Sequence, residues 1–552
     1  MSRFDDEQRT PLAGAAPADH KAALAATLAV GLSRRQLLQA TGAGLLSAGT
    51  AGLAHAQSPK KGGTLTLAWL EAIDTLDPHL TSSAGSIKII NNVFNGLLQV
   101  NYDGKAVQFA PDLAEKWDMP DDKTHVFKLR PGVKFHNGDA CDAEAVKWSL
   151  ERVQSAALKS PHAWKLELLE AIDIVDPLTV RLRFKKAYAF LPVALTGSTG
   201  RAGTIVNRKA VEAAGAGFGR APVGTGPFRL ASWKENDSIE LQRNPNYFEA
   251  GLPHLDRVVI RLIKEPSAGV AALLSGQVDG LSACPFQFIP QLRKSPNVQV
   301  LGQVEGNYAF LGMNNKRAPF NDMALRQAVA FAIDRNVIVQ QSYFGEAIPA
   351  YTCISPPMTQ FYDAAIGKSG RGQFFDLAKA KAFRAKAKEQ GEIQPVYIVT
   401  DGFTGSGGMG TRNAQLIAPM LAQIGIKPKI ELVDRAVWLQ RRNGGDFDLY
   451  DEAWVADLDP DETITPEWST GRPWNYVGYS NPKFDTAAKA AAETTNVAAR
   501  RKLYTEAEDV LMADAPLAVL AHMKVFKILS KKVQGFEYVP ADLLNLHTVS
   551  LA

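Results

Sequence analysis

At 552 residues, with 46% hydrophobic and 21% charged positions, the chain has a globular composition and exceeds what one core organises, so two or three domains are expected. Its formal charge of +4 is spread out: beyond residue 56 there remain 56 basic and 53 acidic side chains and no basic block, which argues against a nucleic-acid partner. Three cysteines, Cys141, Cys284 and Cys353, have no CxxC spacing; they allow one disulfide at most and leave structural zinc short of ligands.

The chain opens with Ser33-Arg34-Arg35-Gln36-Leu37-Leu38, followed by an uncharged run from Ala40 that closes on Ala54-His55-Ala56. The pattern resembles a twin-arginine export signal, residues 1–56, with cleavage before Gln57. No later segment offers an apolar stretch of spanning length, so the mature chain is expected outside the cytoplasm, in the periplasm.

Alternation predicts an opening strand over Thr64–Trp69, then a Thr81-Ser82-Ser83 turn whose hydroxyls either cap the next helix, Ile87 to Leu98, or face a ligand. Val126–Leu129 and Val133–Phe135 read as strands joined by Pro131-Gly132, with a second turn at Asn137-Gly138. Asp142 caps a helix from Ala143 to Val153 that puts Val146, Leu150 and Val153 on one face. Further strands are expected at Phe228–Leu230, Ile239–Leu241 and Val258–Ile263, and a helix at Met323–Asp334. Val396–Val399 and Ile430–Val433 flank a helix near Asn413–Gln423 that ends at Gly425, which predicts a parallel pair with a crossover.

The run Leu129-Arg-Pro-Gly-Val-Lys-Phe-His-Asn-Gly138, with Ala143-Glu-Ala-Val146 and Leu150-Glu-Arg152, resembles the signature of family 5 extracellular solute-binding proteins, the peptide and nickel class that serves ABC importers. The likeness continues through Gly224-Thr-Gly-Pro-Phe228, Leu274-Ser-Gly-Gln-Val-Asp279, Met313-Asn-Asn315 and Tyr479-Ser-Asn-Pro-Lys-Phe484, and so covers the mature chain. One departure is Asn95, where the family usually carries an acid. The resemblance implies an α/β, two-lobed periplasmic binding protein with a hinge and an extra inserted α/β subdomain. It places lobe I at 57–97, 210–311 and 516–552, the inserted subdomain at 98–209 and lobe II at 312–515. It also implies a monomer that delivers a solute to ABC permease membrane subunits, without catalysis, cofactor or metal.

The acidic stretch Asp446–Glu462, DFDLYDEAWVADLDPDE, is the candidate site. A short strand at Phe447–Tyr450 should release Trp454 to Asp459 onto a loop before Pro460, where an indole beside a carboxylate suits an ammonium group. Asp451, Glu452, Asp459, Asp461 and Glu462 read as solvated charges, and an EF-hand reading of Asp457, Asp459 and Asp461 fails because Glu462 stands where glycine is needed. In the resemblance, Trp454-Val-Ala-Asp457 matches the segment whose carboxylate takes a peptide's amino group. Truncating Asp457 should then weaken binding at least tenfold, and truncating Asp461 should do little. Ala453 and Thr81, Ser82 and Ser83 join Asp457 and Trp454 as candidate ligand residues; Trp474 and Tyr476 are candidate walls, with core packing the equal alternative.

Gly405-Ser-Gly407-Gly-Met-Gly410 has the form GxGxxG, but four residues, Asp401 to Thr404, separate it from the strand, so no dinucleotide site is expected. Arg412, beside the helix start, is either a partner for a ligand carboxylate or an exposed first-turn arginine. Neither a Walker A lysine nor a GxSxG elbow occurs, and no histidines have HExxH spacing. A secreted α/β hydrolase or other enzyme is the alternative function.

Overall fold

The computed structural model describes residues 59–552 except 104–106, 401–408 and 456–457. The signal-like residues 1–56, Gly405 to Gly408 of the glycine run, and Asp457 lie outside the described residues.

The strand Leu517–Ser530 organises the molecule. Its sequence, LAVLAHMKVFKILS, is nearly continuous in apolar residues and buried on both faces, as expected of a central strand. At ~3.3 Å per residue its 14 residues span roughly 46 Å, enough to serve two halves of one sheet. Through Lys524–Ser530 it pairs with Val298–Val304, and Ile528 and Leu529 also face Leu281 and Gly280; near its start it pairs with Asn307–Met313, where the register shifts between Ala309 and Phe310. Leu517–Ser530 thus serves both halves, and antiparallel to it the chain passes from Val298–Val304 in the first to Asn307–Met313 in the second.

The first half continues from Gly280–Leu281 to Thr64–Trp69, Arg257–Leu262, Ser238–Arg243 and Phe228–Lys234. The second continues from Asn307–Met313 to Leu449–Val455, Val396–Val399 and Lys429–Leu432. The expected parallel pair forms, with Val396 opposite Lys429, and its crossover helix runs Gly410–Ala422 before Gly425 at φ +74°.

A separate four-stranded antiparallel sheet orders Ala114–Asp121, Thr124–Leu129, Thr179–Phe184 and Leu169–Asp176. Helix Ala143–Gln154 packs Val146, Leu150 and Val153 into the same core as Phe127 and Leu182, and Asp142 caps it by accepting from Ala145 N at 3.1 Å. Val133–Phe135 does not form the expected hairpin strand: Pro131-Gly132 turns the chain away, and Lys134 makes only an isolated bridge to Ala140. Instead, Thr124–Leu129 takes Ala114–Asp121 and Thr179–Phe184 as partners. The first helix begins and ends earlier than expected, at Ala84–Val93. All three cysteines are buried and free.

At Asn95, the family departure, the side-chain amide donates to both carboxylate oxygens of Asp112 at 3.0 and 3.1 Å. Burial raises the Asp112 carboxyl to about 7 despite those bonds.

Candidate functional site

The strand Leu449–Val455 is longer than expected because it pairs residue for residue with Asn307–Met313 up to Val455 opposite Asn307. Ala453 and Trp454 therefore sit on the strand rather than on a loop, held opposite Ala309 and Tyr308. That pairing sets Trp454 beside the passage between the halves.

Three tryptophans from separate stretches meet there. Trp454 lies 4.9 Å from Trp474, ring to ring, and Trp474 presents an edge-on contact to Trp164 at 6.0 Å. Trp164 belongs to the short 3-10 turn Ala163–Leu166 and stacks on Phe190 at 5.6 Å. The indole nitrogens of Trp454 and Trp164 are buried and have no hydrogen-bond partner among the described residues. A buried N–H without an acceptor costs about 1–3 kcal/mol, so this tryptophan cluster carries two donors that a further acceptor would stabilise.

The same 3-10 turn gathers other candidates. His162, just before it, bonds through Nε2 to the carbonyl of Thr81 at 2.8 Å. The Thr81 hydroxyl donates to Asp74 and the Ser83 hydroxyl to the carbonyl of Ala72, each at 2.7 Å, while Ser82 is exposed. Thr81 and Ser83 thus fix the loop, although the Ser83 side chain makes no cap bond. Arg412 is exposed, donates to the carbonyl of Gln341 at 2.6 Å and covers Phe344; neither partner belongs to the tryptophan group.

The acids read as solvated are largely buried. Asp459 receives two 2.7 Å bonds from Arg500 and also caps helix Pro460–Trp468 through Asp461 N. Burial alone would lower the Arg500 pKa, but the Asp459 carboxylate outweighs it and the net shift is upward. Asp461 is raised to about 6, first by burial and then by Asp459, against a bond from Thr465. Asp451 is raised to about 7 by burial, opposed by Asn413, whose amide donates to it at 2.9 Å. Glu452 pairs with Arg442. Asp451 and Asp459 find their partners 38 and 41 residues away, which a count of acids does not reveal. Asp461 is thus buried rather than the solvated charge expected.

Sequence reading missed the ion pairs that join the small sheet's segment to the second half. Lys165 Nζ lies 2.8 Å from Glu462 Oε1, with Arg201 at 3.7 Å from the same oxygen. Arg472 grips Glu167 through bonds of 2.7 and 2.8 Å, and Lys186 meets Glu493 at 2.7 Å. No local pattern announces such pairs, since Lys165 and Glu462 stand 297 residues apart.

Residues 108–476 match the family described as bacterial extracellular solute-binding proteins, family 5 Middle. A relative from Pectobacterium atrosepticum, the glutathione-binding protein GsiB, is 27% identical over 488 residues, covering 86% of this chain and 92% of its own. GsiB of Salmonella paratyphi A is 28% identical, with 84% and 90% covered. Among solved structures, the periplasmic binding protein DppA of Helicobacter pylori in complex with the peptide STSA superposes with TM-score 0.78 at 25% identity, covering 89% of this chain and 98% of that one. AppA of Bacillus subtilis in complex with a nonapeptide gives the same TM-score at 24% identity, covering 90% and 100%.

Proposed function

The chain belongs to the bacterial extracellular solute-binding proteins of family 5, and from that membership we propose that it captures a peptide or related amine-bearing solute and delivers it to the membrane subunits of an ABC importer. The observation that carries the reading is that Leu517–Ser530 and the run from Val298–Val304 into Asn307–Met313 pass together through both halves, with the tryptophan cluster beside them. Two strands linking two halves of a sheet are what hinge closure over a solute requires. The peptide and glutathione named for the relatives support a peptide-like solute.

In this reading lobe I comprises 57–97, 210–311 and 516–552, the inserted subdomain 98–209, and lobe II 312–515. Asp457 receives the solute's amino group, Trp454 and Ala453 form the adjoining wall, and Trp474 backs Trp454. Thr81, Ser82 and Ser83 contribute from lobe I, chiefly through the placement of their loop. Arg412 is the weakest of the candidates, because Gln341 and Phe344 already engage it. The protein acts as a monomer in the periplasm after twin-arginine export, and it performs no chemistry on its cargo.

Mass spectrometry of material that copurifies with the protein, followed by melting-temperature shifts with the identified compound, tests this. A bound peptide-like solute recovered unchanged is the expected result. Conversion of the solute by the protein would overturn the reading.

A further inference from the structure

A second concavity lies between the small sheet and the second half. Its volume is about 410 Å³, within the range of small-molecule sites. The small sheet contributes Trp117 and His125, with Phe109 from the neighbouring strand Val107–Pro111 and Tyr188 from the adjoining segment, and the opposite wall brings Met358 and Phe361. Since the walls come from separate parts of the chain, the cavity exists only while those parts are together.

Thr359, Gln360 and Thr495 line it as exposed residues, while His125, Tyr188 and Asp459 are already engaged. Trp117 Nε1 donates to His125 Nδ1 at 3.1 Å, and burial lowers His125 to about 4, so this ring is neutral at neutral pH. The Tyr188 hydroxyl donates to the carbonyl of Lys165 at 2.9 Å. Asp459, the carboxylate of the lining, is closed on Arg500. A charged ligand group would lose its hydration here and gain no free counter-charge, whereas an aromatic or branched apolar group would gain extensive ring contact.

The cavity reaches the stretch that follows the Trp454 strand. Leu458, which follows residues 456–457, lines it and holds φ +63°, a left-handed conformation uncommon for leucine. Such a conformation persists where surrounding packing imposes it, and it concentrates at functional sites. A chain of ring contacts, Tyr188 to Phe190 at 6.1 Å and Phe190 to Trp164 at 5.6 Å, joins the cavity wall to the tryptophan cluster.

We propose that this cavity is an apolar subsite of the capture site and that the solute carries an uncharged aromatic or branched apolar group beside its amine. The inference rests on the solute-binding reading above and extends it to the class of side group accepted. It also assigns the inserted segment a role in selectivity.

Two measurements test it. In the first, the uncharged fluorophore N-phenyl-1-naphthylamine is titrated into wild type, Val497→Trp and Met119→Trp. Val497 and Met119 line the cavity from opposite walls and are 45% and 48% exposed, so a larger ring at either fills the opening without entering a core. Saturable binding to wild type, weakened at least tenfold in both variants at unchanged melting temperature, is expected. Absence of saturable binding, or equal affinity in all three proteins, overturns the subsite whatever peptides do.

In the second, calorimetry compares Ala-Ala-Ala, Ala-Phe-Ala, Ala-Asp-Ala and Ala-Lys-Ala. Phe should bind at least tenfold tighter than Ala, the charged residues more weakly than Ala, and Val497→Trp should abolish the Phe preference. Equal affinities across the four peptides, or a Phe preference that survives Val497→Trp, would contradict the proposal. If none of the peptides binds but the fluorophore binds and responds to both variants, the apolar subsite stands and the peptide reading fails.

Discussion

Lys165 Nζ lies 2.8 Å from Glu462 Oε1, with side chains 0% and 2% exposed, and through this pair the small sheet's segment is bound to the helix that follows the Trp454 strand. Neither charge has access to bulk water, so the contact differs in kind from the exposed Arg472–Glu167 pair beside it.

Removing Glu462 takes a buried carboxylate from both Lys165 and Arg201, and removing Lys165 takes from Glu462 its nearer cation, each at a cost of up to about 3–5 kcal/mol. Glu462→Gln and Lys165→Met should each lower the melting temperature and enlarge the radius of gyration measured by small-angle scattering. Glu167→Gln, at the surface pair, should change stability by no more than about 1 kcal/mol. Equal effects at the buried and exposed pairs would show that Lys165–Glu462 does not hold the two parts together.

Asp459 and Arg500 form a two-bond ion pair inside the second half, and Asp459 also caps a helix. Asp459→Ala should destabilise by about 3–5 kcal/mol from the stranded guanidinium, with about 1 kcal/mol more from the lost cap. The double variant Asp459→Ala/Arg500→Met should recover much of that loss, because an apolar replacement leaves no buried charge. Denaturant unfolding of both singles and the double measures the coupling, and strict additivity would refute it.

Asp451 keeps its proton up to about 7 in the folded chain, whereas an unfolded aspartate titrates near about 3.9. Its contribution is therefore full below the unfolded value and lost as pH rises through about 7. Asp451→Asn, whose amide oxygen can still accept from Asn413, removes this dependence. The variant's stability relative to wild type should rise by on the order of 2–4 kcal/mol between pH 5 and pH 8. A difference that stays flat across that interval in calorimetric melting would show that Asp451 is ionised in the folded protein throughout.

For the capture step, Asp457→Ala should weaken an amine-bearing solute at least tenfold, since truncating one member of a desolvated charge pair costs about 2–5 kcal/mol. The appropriate control is the exposed Asp446→Ala rather than Asp461→Ala, because Asp461 is buried and accepts from Thr465. Titration calorimetry giving one affinity for wild type and Asp457→Ala would remove that aspartate from the site.

Local features of the fold were readable from short stretches. The strand Thr64–Trp69, the Asp142-capped helix and the parallel pair around Gly410–Ala422 rest on periodicity, caps and glycine positions within a few residues of one another. The long run from Leu129 to Gly138 carried the family likeness for the same reason, being contiguous. The acidic stretch had the opposite fate. Residue type alone marks Asp451, Asp459 and Glu462 as solvated, and only packing brings Asn413, Arg500 and Lys165 to them. Trp454 moved from loop to strand because Asn307–Met313, distant in sequence, pairs alongside it. The sequence by itself determined the family and those elements whose caps and periodicity are local, since such preferences are satisfied between near neighbours. Tertiary structure decided which charges are buried, how the tryptophans meet and where the cavity lies, since those depend on partners that only the folded chain brings within bonding distance.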